Sequence, residues 1–175
     1  MRLITFVSEG KEKIGGWIDQ DRQVVDLARA AELGGGADPA LGSMIALIEA
    51  GSAAWDRARA LIADPPAGSV IPTSSVKLLA PLPRPTQIRD CLTFPAHLEG
   101  AAKAQAERMI KASPDPEKAR AEIEASGRLA VPKAFYDFPL YYISNRMSIS
   151  APGADVVWPA YSQTLDYEME WAIVI

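Results

Sequence analysis

Three short runs near the start of the chain, 2–8 (RLITFVS), 13–19 (KIGGWID) and 22–26 (RQVVD), are rich in apolar and β-branched residues. Polar or glycine-bearing turns separate them, and short β-branched runs bounded in this way predict a small antiparallel meander. At Leu27 the texture changes to alanine, leucine and charge at helical spacing. Leu41, Met44, Ile45 and Ile48 stand at i, i+3, i+4 and i+7, which predicts a helix with one buried stripe. Trp55, Ala58, Arg59 and Ile62 predict a second helix, opened by Ser52 as its N-cap. The stretch 63–75 (ADPPAGSVIPTSS) is too rich in Pro, Gly and Ser for a helix or a central strand and reads as a linker.

Beyond it, 76–90 (VKLLAPLPRPTQIRD) predicts a strand followed by an extended, proline-punctuated segment. Residues 97–112 are alanine-rich and helical, and 116–126 (PEKARAEIEAS) form another helix with Pro116 in its first turn. Charge crowds this pair, so a solvated helical hairpin is expected. From Phe135 onward, aromatic and β-branched residues return in FYDFPLYYISN, MSISAPG, DVVWP and MEWAIVI, which predict strands and turns. The last run is apolar up to Ile175 without a turn or polar cap, so the expectation is a strand interrupted by truncation. These elements make an α+β fold, mostly β, with a small leading domain over 1–70 and a second domain over 71–175.

Composition narrows the function classes. With 49% apolar and 23% charged residues, the 175-residue chain can build a core. A formal net charge of −4 gives no basic footprint for nucleic acid. No apolar run approaches the roughly 20 residues that span a bilayer, and no signal-peptide pattern opens the chain. The single cysteine, Cys91, forms no internal disulfide, which fits a reducing compartment and makes the cytoplasm the expected address.

Three pieces carry candidate chemistry. In Asp166-Tyr167-Glu168-Met169-Glu170, a strand would put Glu168 and Glu170 on one face, Cα atoms roughly 6.5–7 Å apart. Like charges so close call for a proton or a hard cation such as Mg²⁺ or Mn²⁺ between them. The plain alternative is a solvent face of an amphipathic strand. In 89–97 (RDCLTFPAH), His97 is the only histidine of the chain, placed at a helix start where a general base would project into a cleft. A structural or exposed histidine fits as well, and Asp90 suits a turn or a helix cap. Cys91, with one neighbouring cation and no second histidine, reads as a buried, inert thiol rather than a nucleophile. In 138–145 (FPLYYISN), the aromatics suit a core, and a tyrosine hydroxyl with a free edge would orient an oxyacid.

Taken in order, these pieces resemble the fumarylacetoacetate hydrolase family. The resemblance starts with MRLITF and GGWIDQDRQVVDLARA and runs through VKLLAPLPRPTQIRDCLTFPAH and PLYYISNRMSISAPGADVVWP. It ends in LDYEMEWAIVI, and the helices over 98–134 are the least family-like part. It implies that 71–175 is the first part of a mixed β-roll catalytic domain. It further implies a divalent cation, Mg²⁺ or Mn²⁺ with Ca²⁺ as an alternative, held by Asp90, Glu168, Glu170 and a fourth carboxylate beyond residue 175. The implied catalytic histidine is His97, seven residues after Asp90, working with a glutamate that this chain lacks. Tyr142 falls where the family contacts substrate. Leu92 stands where many relatives carry an aromatic, and Glu99 lies two residues after the histidine where smaller relatives have an acid at three. Asn145 and Arg146 lie near a position where relatives often use a basic residue.

The implied activity is hydrolysis of a C–C bond in a 1,3-diketo or acylpyruvate-type acid. An isomerase or decarboxylase of a 2-oxo or hydroxydienoic acid on the same scaffold is the alternative, as is an inactive binding or assembly fragment. The 175 residues alone are expected to show little turnover. The expected partners are a small oxo-acid, the remainder of the catalytic domain and a second copy in a homodimer.

Overall fold

The computed structural model describes residues 1–175. Its contacts divide the chain into two units, one comprising Met1–Pro85 and Met147–Ile175, the other Thr86–Arg146.

In the first unit the three apolar runs form strands β1 (Leu3–Ser8), β2 (Lys11–Ile18) and β3 (Gln23–Asp26). Tight turns join them, with positive φ at Glu9 and Gly10 and then at Asp19, Gln20 and Asp21. Short strands β4 (Val70–Pro72) and β5 (Lys77–Leu79) complete an antiparallel sheet of order β4-β3-β2-β1-β5. The expected linker therefore supplies an edge strand. Its proline lies at the strand's end, where a missing N–H costs the ladder little.

The sheet cannot lie flat. Outer strands of a flat five-stranded sheet stand roughly 19 Å apart. Yet β4 and β5 are joined only by residues 73–76, three of which coil into a 3₁₀ turn, Thr73–Ser75. Five residue steps reach roughly 18 Å even when fully extended, so the sheet curls. Its register puts Ile4, Phe6, Trp17 and Val24 on one face with Ile71 and Leu78 of the edge strands. They cluster there with Val76 from the connection.

The opposite face carries Leu3 and Ile14, which pack against helices α1 (Leu27–Leu33), α2 (Met44–Ala50) and α3 (Ser52–Ala63). Adjacent glycines of β2 serve both faces. A Cβ on Gly15 would lie 2.6 Å from the Val25 carbonyl oxygen, and one on Gly16 would lie 2.2 Å from Ile62 Cδ1. Asp26 caps α1, accepting from the Arg29 amide at 3.0 Å and from Lys13 Nζ at 2.8 Å.

The helical expectations shift in detail. The buried stripe runs through Leu41, Met44 and Leu47, while Ile45 is exposed. A 3₁₀ turn at Pro39–Leu41 precedes α2 and alters the helical phase. Ser52 does not cap α3. Gly51 alone joins α2 to α3 at φ 74°, a conformation that glycine accepts without a Cβ penalty, and Ser52 falls inside the helix.

In the second unit, β6 (Arg89–Cys91) and β7 (Tyr141–Ile143) form a two-stranded antiparallel ribbon. Between them lie α4 (Pro95–Ala112), α5 (Pro116–Ala125) and a short α6 (Ala134–Asp137). Helices α4 and α5 make the expected hairpin, whose small core is Ala106, Ile110 and Ile123 with Ala119 and Leu129. Prolines open both helices, and Asp115 caps α5 by accepting from the Lys118 amide at 3.0 Å.

The α+β class holds, but the expected predominance of β does not: 37% of residues are helical and 17% lie in strands. The strands expected in MSISAPG, DVVWP and MEWAIVI are the reason. No strand forms after Ile143: a strand exists only as part of a backbone ladder, and those runs join neither sheet. No helix is long and apolar enough to cross a membrane.

Candidate functional site

Antiparallel pairing in the ribbon sets Arg89 against Ile143, Asp90 against Tyr142 and Cys91 against Tyr141. Directly opposed residues share a face, with Cβ atoms roughly 4.5–5.5 Å apart. Asp90 and Tyr142 therefore occupy one face, and Arg89, Cys91, Tyr141 and Ile143 occupy the other. The ladder continues one step further, where the Leu92 amide donates to the Leu140 carbonyl at 2.9 Å. Asp90 is half-buried and Tyr142 is 61% exposed, so a carboxylate and a phenol stand side by side within reach of solvent.

Three residues beyond β6 the chain turns into α4. Phe94 is the N-cap and Pro95 takes the first helical position, where its fixed φ suits the helix and its missing N–H is no loss. His97 follows in the first turn with an exposed side chain, its amide donating to the Phe94 carbonyl at 3.1 Å. Asp90, His97 and Tyr142 thus all belong to the second unit. Cys91 is an exposed thiol, not the buried one expected, because its strand has only one neighbour and nothing covers its face.

Glu168 and Glu170 belong to the first unit and are exposed. The segment around them joins no sheet, so no ladder holds the pair in a strand. Next to them, Asp166 bends back so that its Oδ1 accepts from the Tyr167 amide at 2.9 Å. Such local side-chain bonding competes with extended pairing. Within neither unit do three His, Cys, Asp or Glu side chains stand together as a group able to hold a metal ion. Carboxylate oxygens are the donors that hard divalent cations prefer, so the donor set fits Mg²⁺ or Mn²⁺ in kind, although no single unit assembles it.

One contact was invisible in the sequence. The Arg89 guanidinium lies over the Tyr141 ring, 4.8 Å from its centroid. The two residues are far apart along the chain, and only the ribbon register brings them together. A shallow groove between α4 and α5, lined by Lys103, Glu107, Ile110, Arg120 and Leu129, includes none of the candidate residues. The chain matches no family model and no curated protein.

Proposed function

We propose that this chain serves a metal-dependent hydrolase resembling the fumarylacetoacetate hydrolase family, cleaving a C–C bond in a 1,3-diketo or acylpyruvate-type acid. The observation that carries the reading is the ribbon register, which sets Asp90 opposite Tyr142, with His97 in the first turn of the next helix. A carboxylate and a phenol paired on one face of the ribbon, with an imidazole seven residues along the chain, suit a reaction that orients an oxyacid and moves a proton.

In this proposal Asp90, Glu168 and Glu170 are the carboxylate donors for Mg²⁺ or Mn²⁺. When bound, such a cation supplies Lewis-acid polarisation of a carbonyl oxygen. The Tyr142 hydroxyl orients the substrate by donating to one of its oxygens. The His97 imidazole accepts a proton from water as the water oxygen bonds to the carbonyl carbon. The C–C bond then breaks, its electron pair departs with the enolate fragment, and protonation of that fragment completes the hydrolysis.

The test is product analysis with an acylpyruvate, using the protein that carries this sequence. Pyruvate and a carboxylic acid in equal amounts are expected. Loss of CO₂ without C–C hydrolysis, or an isomerised acid, would instead favour a decarboxylase or isomerase on the same residues. His97→Ala should slow turnover by about 10²–10⁴-fold, the usual worth of general-base help. A loss of less than about tenfold would remove His97 from the mechanism.

A further inference from the structure

The ribbon face opposite Asp90 holds a contact that the proposed chemistry does not use. Arg89 is paired with Ile143 and Tyr141 with Cys91, so the Arg89–Tyr141 stack at 4.8 Å runs diagonally across the two strands. Each strand is three residues long, and a ribbon this small is marginal by itself. Register is its weak point. A slip of one residue along β6 would carry Asp90 to the other face, away from Tyr142. The same slip would take the guanidinium off the Tyr141 ring, so the stack opposes it.

We propose that Arg89 is a positioning residue: by stacking on Tyr141 on one face of the ribbon, it fixes the register that sets Asp90 opposite Tyr142 on the other. The functional half of this statement rests on the reading that Asp90 and Tyr142 serve one site. The structural half does not. An exposed cation–π contact biases an equilibrium by roughly two- to fivefold, which is the size of effect expected here.

The experiment compares the unsubstituted protein with Arg89→Ala and Arg89→Lys by NMR. In Arg89→Ala, exchange of the Leu92 amide should quicken by roughly two- to fivefold, and the Asp90–Tyr142 cross-peak should weaken. Amides of Ile110 and Ile123 in the α4–α5 hairpin should not change. Arg89→Lys keeps a cation over the ring and should restore most of both signals. Titration with MnCl₂ then reads the positioning role, since Arg89→Ala should weaken Mn²⁺ broadening of the Asp90 signal by a similar factor. An unchanged Leu92 exchange rate and cross-peak would overturn the register lock. A loosened ribbon with unchanged Mn²⁺ broadening would overturn the positioning role. If the unsubstituted protein binds no Mn²⁺, the functional reading fails, while exchange and cross-peak still decide whether Arg89 holds the register.

Discussion

Phe6 and Trp171 are both aromatic residues in apolar segments that read as strands, and they meet opposite fates. Phe6 is 0% exposed and Trp171 is 95% exposed. The difference lies in what flanks each segment. β1 is hydrogen-bonded to β2 on one side and β5 on the other, so its inward residues are pressed against Val24 and Leu78. Leu165, Tyr167, Met169, Trp171, Ile173 and Ile175 occupy every second position of the final run, and all are exposed. Alternation decides which side of a strand would be buried. A hydrogen-bonding neighbour decides whether the strand exists.

Substitutions in the two regions should separate accordingly. Phe6→Ala removes a fully buried ring from the curled sheet and should cost about 3–5 kcal/mol in urea unfolding; a cost below about 1 kcal/mol would mean that this core is not packed as described. Gly15→Ala drives a Cβ toward the Val25 carbonyl oxygen and should cost about 1–3 kcal/mol. Asp26→Ala removes the α1 cap and the partner of half-buried Lys13, for about 1–2 kcal/mol by the same assay. Trp171→Ala should change stability by less than about 0.5 kcal/mol. A cost above about 2 kcal/mol would show that the final run is packed after all. Acrylamide quenching sharpens the contrast, since Trp171 should be freely quenched and Trp55, whose indole donates to the Leu47 carbonyl at 2.8 Å, should be partly protected.

The sequence was most legible where local chemistry and packing agree. Strands β1 to β3 emerge from short apolar, β-branched runs set between polar or glycine-bearing turns. Helices α4 and α5 emerge from composition together with Pro95, Pro116 and Asp115. Expectation and structure part where a neighbour outside the local window decides the outcome. Strand β4 forms because β3 offers an edge to 70–72, whatever the local richness in Pro and Gly. Gly51 displaces Ser52 because two helices meet at one residue. The final run has the pattern of a strand but joins no sheet.

The candidate site divides the same way. The spacing of Asp90 and His97 and the alternation of Glu168 and Glu170 can be read along the chain. The pairing of Asp90 with Tyr142, and of Arg89 with Tyr141, depends on strand register between distant segments, for which a single sequence carries no local signal.

The central functional claim is that carboxylates from the region of Asp90 and from Glu168 and Glu170 serve one hard cation. Calorimetric titration of MnCl₂ into the unsubstituted protein, Asp90→Asn and the double variant Glu168→Gln/Glu170→Gln tests it most directly. The account predicts one site, weakened at least roughly tenfold by either change. Equal affinity in all three proteins would contradict it.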